Sequence, residues 1–240
     1  MKTSFTTLGC PAWDLSTIIS QGSAIGFDGV DFRGLGDDLD ITTLPAFTTG
    51  LVDTKTRFED AGLAVCGIST SLKVCDDSMV AANLEEARRT IPMAAELGVE
   101  NIRVFGGGDP ERHSKPEMAD IGQQMMQQVL ELDGAGQFKW VFETHDHWCL
   151  PEHVAEVMRR VDHPAIRVNW DIMHPVRVEQ VAMADAYATL KPWISHCHFH
   201  DGATTDGKLA MVPIGEGIID HETALKLLEA DRFAGYMSGE

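Results

Sequence analysis

The chain has no pair of cysteines at CxxC spacing, and its five cysteines (Cys10, Cys66, Cys75, Cys149 and Cys197) are odd in number. That excludes a thiolate zinc cluster and gives no sign of a disulfide framework, so a reducing compartment is the simpler setting. No stretch reaches the roughly 18 apolar residues of a membrane-spanning helix. The opening segment, MKTSFTTLGC, has no long apolar run of the kind that marks a signal peptide. On these grounds the cytoplasm is the expected location. Basic residues are scarce, with 19 Lys and Arg against 37 Asp and Glu and a formal net charge of -18. A field of that sign repels phosphate backbones and argues against nucleic acid as a partner. There is no linker, low-complexity tract or block of like charge, so one domain over residues 1–240 is expected. No GxGxxG follows the first apolar run, and Gly106-Gly107-Gly108 reads as a plain glycine turn.

What remains is an ordinary globular composition, 44% hydrophobic and 23% charged, in a chain long enough for an α/β barrel. Short β-like runs at 4–8, 29–33, 64–68, 101–105, 139–143, 166–171, 194–198 and 235–240 alternate with helical segments. The helices are expected after Asp14, which serves as a cap, and at about 42–61, 77–97, 116–132, 151–161, 178–190 and 221–230. Gly98 can end the third of these, and Pro92 is expected to kink it. A glycine-rich loop is expected from 199 to 217. Eight strands with helices between them predict a parallel (β/α)8 TIM barrel, with a doubly wound open sheet as the runner-up. The barrel lacks its eighth helix, so the outer faces of strands one and eight are expected to be bare. A truncated chain, or a partner subunit in a homo-oligomer, would account for that.

Glu143, Asp171, His198 and Glu240 each end one of the last four strand-like runs. A carboxylate or imidazole in such a place costs stability unless something binds it. The carboxyl ends of barrel strands form one face, so residues distant in sequence converge there. Three carboxylates, one imidazole and no thiolate suit a single divalent cation, Mn2+, Mg2+ or Co2+, with Zn2+ as a further option. Such a cation polarises a carbonyl and acidifies the adjacent C–H, and a nearby carboxylate can take the proton. His145 and His147 follow Glu143, and His174 lies three residues past Asp171. His196, His198 and His200 alternate along one strand face. They cannot all bind one ion without crowding, so His198 is the expected ligand and His200 faces substrate. Arg33 and Arg103 either face an anionic substrate group or pair with Asp31 or Glu100. Trp13 and Trp148 either wall a sugar ring or pack in the core. Gly215-Glu216-Gly217 either closes the site or forms a plain turn.

The segments GFDGVDFRG, AAELGVENIRVFGG, FETHDHW, NWDIMHPVR, SHCHFHD, VPIGEGIID and GYMSGE span essentially the whole chain in this order. Together they resemble the xylose isomerase-like TIM barrel family of sugar phosphate isomerases and epimerases, whose superfamily includes the AP endonucleases. The resemblance implies Glu143, Asp171, His198 and Glu240 as ligands of one divalent metal. Its ketose 3-epimerase branch implies that Glu143 and Glu240 exchange protons on opposite faces of a cis-enediolate and that His174 binds substrate. The chain departs from that branch at Thr204, where a substrate-binding arginine is expected, and at Cys149, where an acidic residue is expected. It also lacks the histidines of the three-zinc AP endonucleases, with Ser69-Thr70-Ser71, Gly106-Gly107-Gly108 and Asp206-Gly207-Lys208 in their places. The expected function is a metal-dependent isomerase or epimerase of a small sugar, sugar phosphate or hydroxy-keto compound. Glu143 and Glu240 would be its acid–base pair, with His174, His145, His200 and Arg33 on the substrate. The alternatives are a lyase or dehydratase of the same barrel type, acting on a keto-inositol or dehydroshikimate-like substrate, and a non-catalytic metal- or sugar-binding barrel.

Overall fold

In the segment KWVFE, Trp140 and Phe142 alternate with Val141 and Glu143; in IRVNWD, Trp170 alternates with Asn169 and Asp171. A strand sends successive side chains to opposite faces, so each of these strands has an apolar face and a face that is polar towards its carboxyl end. A computed structural model describes residues 1–205 and 208–240. The first half comprises β1 (Lys2–Thr6), α1 (Leu15–Ile25), β2 (Gly29–Phe32), α2 (Leu51–Asp60), β3 (Ala64–Lys73), α3 (Val80–Leu97), β4 (Asn101–Phe105) and α4 (Lys115–Leu130). There follow β5 (Lys139–Glu143), α5 (Pro151–Val161), β6 (Ile166–Asp171), α6 (Met173–Glu179), α7 (Met183–Leu190) and β7 (Ile194–Phe199). The last elements are β8 (Asp201–Thr205), β9 (Lys208–Val212), α8 (His221–Ala230) and β10 (Tyr236–Gly239). Eight strands close into a parallel barrel in the order β1-β10-β7-β6-β5-β4-β3-β2, and β8 and β9 form a separate antiparallel pair. Helices lie between successive barrel strands, and among the described residues none follows β10. No helix of the described residues is long and apolar enough to cross a membrane.

The apolar faces point outward against the helices. Trp170 meets Tyr187 of α7 at 5.3 Å between ring centroids, Phe142 meets Trp148 at 5.4 Å, and Phe32 meets Phe47 at 5.0 Å. Fully burying each such side chain contributes about 1.5–3 kcal/mol. Inside the barrel the side chains contact one another across non-neighbouring strands, as Asp31 of β2 does with His196 of β7. This interior is polar, and hydrogen bonds offset its desolvation.

Local signals explain the helix ends. The Asp14 carboxylate accepts the Thr17 N–H at 2.8 Å, and Gly98, at φ 69°, ends α3, which runs unbroken through Pro92. Several expectations are corrected. The first strand ends at Thr6, because Thr7–Gly9 turns into a 3-10 helix. The 42–61 helix is two short 3-10 turns followed by α2, separated by Pro45 and Gly50. The 178–190 helix is two helices: Asp171 Oδ1 accepts the N–H groups of Met173 and His174, so α6 starts early, and Gln180 at φ 55° ends it. The expected loop after His198 contains the β8–β9 ribbon, and Asp206 and Gly207 lie outside the described residues. The outer face of β1 is not bare, since Phe5 packs against Phe27 and Trp13. Beside it, a cavity of about 260 Å³ lined by Phe5, Trp13, Ile25, Phe27 and Ile214 ends at Glu240.

The segment after β9 is tied down by one residue. The buried Asp201 carboxylate accepts the backbone N–H groups of Gly202, Gly215, Gly217 and Ile219 at 2.9–3.1 Å. Gly217 is needed because a Cβ there would collide with that carboxylate. Burial pushes the Asp201 pKa up, but the four N–H donors outweigh it and hold it below the ordinary carboxylate value. A depressed folded pKa stabilises above the unfolded value of about 3.9 and loses that contribution as pH falls through the folded pKa. Asp201→Ala is therefore expected to cost about 2 kcal/mol at pH 7, a melting shift of about 4–8 °C in a chain this size. The gap to wild type should narrow below about pH 4. A gap that stays constant down to pH 2 would contradict this account.

Candidate metal centre

Glu143 is the last residue of β5, Asp171 the last of β6, His198 lies in β7, and Glu240 follows β10 with its N–H donated to the Phe199 carbonyl. Those four strands are consecutive in the barrel wall, and register sets Asp171 and Ser238 opposite His198. Each of the four residues offers one ligand atom, and these atoms lie within 4.8 Å of one another. Glu143, Asp171 and His198 are buried, while the Glu240 side chain is 19% exposed and reaches solvent at the mouth.

The groups perturb one another strongly. Burial alone would raise the Glu143 pKa, but the charges of Arg103 and His198 outweigh it and hold the carboxyl well below its usual range. Burial would likewise raise Asp171, and His174 and His200 bring it down instead. Burial would lower His198, yet Glu240, Glu143 and a hydrogen bond to Asp31 lift it well above the ordinary imidazole value. Arg103 Nε stands 3.4 Å from Glu143 Oε2, its Nη1 donates to the Thr70 carbonyl at 2.8 Å, and its guanidinium lies 3.7 Å from the Phe105 ring centroid. Arg103 thus pairs with Glu143, and neither with Asp31 nor with Glu100, which pairs with Lys139.

Three buried atoms of the set, Glu143 Oε2, Asp171 Oδ2 and His198 Nδ1, have no hydrogen-bond partner. His198 Nδ1 is 2.7 Å from Glu143 Oε1 and 3.4 Å from Glu240 Oε2, close contacts without the angle of a hydrogen bond. Buried polar atoms are normally paired. Three carboxylate oxygens and one imidazole nitrogen within 4.8 Å of one another match the donor set of a divalent cation, so this is a possible metal-binding site.

The remaining expected residues fall around it. His200 Nε2 is 2.7 Å and His174 Nε2 3.6 Å from Asp171 Oδ2, and these three residues form a second group with ligand atoms within 4.8 Å. His145 stacks edge-on to His174 at 4.4 Å and bonds Asp146. Arg33 donates to Ser71 Oγ at 3.0 Å and lies 5.7 Å from the Phe105 ring, with no ion-pair partner among the described residues. Trp148 does not wall the site; it is buried, packs on Phe142 and donates to the Gly107 carbonyl. Trp13 packs against Phe5 beside the apolar cavity.

Asp31 is corrected most sharply. It does not pair with Arg33: it is 1% exposed and contacts both His196 and His198. Asn169, which donates to Glu143 Oε1 at 3.1 Å, escaped notice entirely. Both Asn169 and His196 stand two residues before an expected ligand on the same strand, and that period of two was the available signal.

A sequence model of the xylose isomerase-like TIM barrel matches residues 19–240. A 3-dehydroshikimate dehydratase from Bacillus anthracis is 24% identical over 202 residues, covering 73% of this chain and 69% of that protein. The crystal structure of an IOLI protein with a bound zinc atom superimposes with a TM-score of 0.82 at 16% identity, covering 100% of this chain and 88% of that one. A D-tagatose 3-epimerase-like protein gives 0.79 at 20% identity, covering 99% and 90%. Structural likeness at these identities speaks to the fold alone, and the sequence match over most of the chain adds the family. The chain belongs to the xylose isomerase-like TIM barrel family.

Proposed function

We propose that this protein is a metal-dependent isomerase or epimerase that moves a proton at a carbon next to a carbonyl in a small carbohydrate-like compound. The observation that carries the reading is the approach of two carboxylates, Glu143 and Glu240, to the same nitrogen of His198 at 2.7 and 3.4 Å. Glu143, Asp171, His198 and Glu240 would hold a divalent cation, Mn2+, Mg2+, Co2+ or Zn2+. A cation bound there supplies Lewis acidity that polarises the substrate carbonyl and acidifies the neighbouring C–H. Glu143 removes the proton, Arg103 and Asn169 fix its carboxylate, and Glu240 delivers a proton from the side open to solvent. His174, His145 and His200 hydrogen-bond substrate hydroxyls, and Arg33 meets an anionic or strongly polar substituent. The substrate is a small molecule rather than nucleic acid, and free cysteines throughout fit a reducing cytoplasm.

A second reading is a dehydratase. His145, His174 and His200 form a row of imidazoles with ring centroids 4.4 and 5.4 Å apart, placed to protonate a departing hydroxyl. Cys149, where the ketose 3-epimerases are expected to carry an acid, is buried and donates its thiol to the Asp146 carbonyl. The dehydratase among the sequence relatives points the same way. The two readings separate in one experiment. Metal-loaded protein in D2O is given a panel of ketoses, keto-inositols and 3-dehydroshikimate, with NMR following solvent deuterium and absorbance following loss of water. Deuterium uptake with an epimer supports the first reading, and a dehydrated product the second. Metal binding with no exchange in any substrate would leave only a binding protein.

A further inference from the structure

We infer that Asp31 is a positioning residue of the metal centre: it holds His198 so that Nδ1 is the atom presented to the cation. This rests on the reading of Glu143, Asp171, His198 and Glu240 as metal ligands. Asp31 sits on β2, across the barrel from β7. Its Oδ2 lies 2.9 Å from His196 Nε2 and 3.2 Å from His198 Nε2, and Ser69 Oγ donates to its Oδ1 at 3.0 Å. An ionised carboxylate only accepts, so both Nε2 atoms carry hydrogen. That tautomer leaves Nδ1, the nitrogen that faces Glu143 and Glu240, as the one available to a cation. A metal-bound imidazole whose other N–H goes to a carboxylate is held in one tautomer and one ring orientation, and is more basic.

The seat is built around this carboxylate. A Cβ on Gly67 of β3 would lie 2.7 Å from Asp31 Cγ, so that strand position leaves room for Asp31 and for nothing larger at residue 67. Asp31, His196 and His198 also bring three potential ligand atoms together. Since both Nε2 atoms point hydrogens at Oδ2, this group is the support of a metal site rather than a second one.

The test uses the whole chain, stripped of metal and titrated calorimetrically with Mn2+ alone, together with 15N NMR of the Zn2+-loaded protein to identify the ligating imidazole nitrogen. Asp31→Ala is expected to weaken Mn2+ binding by about 10–100-fold and to lose the single Nδ1-ligated form of His198. Asp31→Asn, which keeps an acceptor oxygen in place, is expected to recover most of the affinity. A merely structural role would lower the melting temperature and leave both readouts unchanged, and that result overturns the inference. If Asp31→Ala does not fold, Ser69→Ala decides: loosening the carboxylate should weaken Mn2+ binding several-fold, and unchanged affinity overturns the inference. If wild-type protein binds no divalent cation, the ligand reading falls and the inference with it. If wild type binds and Asp31→Ala binds equally well through Nδ1, the inference alone falls.

Discussion

Glu143→Gln is expected to reduce turnover by about 10³-fold or more, within the range that general acid–base groups contribute, while the protein stays folded. Glutamine has nearly the shape of glutamate but cannot take a proton, and it is a poorer cation ligand. The stability penalty should be modest for a buried site. Arg103 keeps its bond to the Thr70 carbonyl and its place over Phe105, and the amide oxygen of the variant can still accept from Asn169. That limits the loss to about 1–3 kcal/mol, the range for one disturbed buried polar contact. Steady-state kinetics on a substrate that shows solvent exchange, with a melting curve alongside, checks both parts. Turnover close to wild type would remove Glu143 from the chemistry.

Stripping divalent cations should abolish turnover and lower the melting temperature together, with both restored by adding one ion. Glu143, Asp171 and Glu240 face one another in a largely buried site, and a dication between them converts repulsion into attraction. An ion at a hundred times its dissociation constant adds about 2.7 kcal/mol of stability, about 5–11 °C for a chain of this size. Chelation followed by separate addition of Mn2+, Mg2+, Co2+ and Zn2+ ranks the ions by recovery. A melting temperature and activity indifferent to chelator and to all four ions would end the metal reading.

The barrel was legible because eight short apolar runs alternate with helical segments along the chain. The polar interior became visible only with the structure, where Trp140, Phe142 and Trp170 face the helices and Glu143, Asn169 and Asp171 lie on the other face. The candidate ligands were legible because a charged residue closing an apolar run is conspicuous. What stayed hidden depended on partners far along the chain. Asp31 and His198 are 167 residues apart, and nothing near Asp31 distinguishes a partner for Arg33 from a seat for two imidazoles. Helix boundaries failed where side chains competed with periodicity. The Asp171 carboxylate starts α6 early, and Pro45 and Gly50 break a segment whose composition reads as helical. The β8–β9 ribbon was missed because it lies outside the barrel sheet and its first strand, DGATT, is polar and contains glycine, a composition that reads as loop.

Amino-acid order alone determined the strand and helix alternation, the acidic surface and the chemical type of the candidate site, because these follow from local pattern and residue chemistry. Tertiary structure decided which polar groups meet: Arg103 with Glu143, Asp31 with His196 and His198, and His200 with Asp171. Barrel closure and strand register set those pairings, and both are properties of the assembled sheet that no single segment contains.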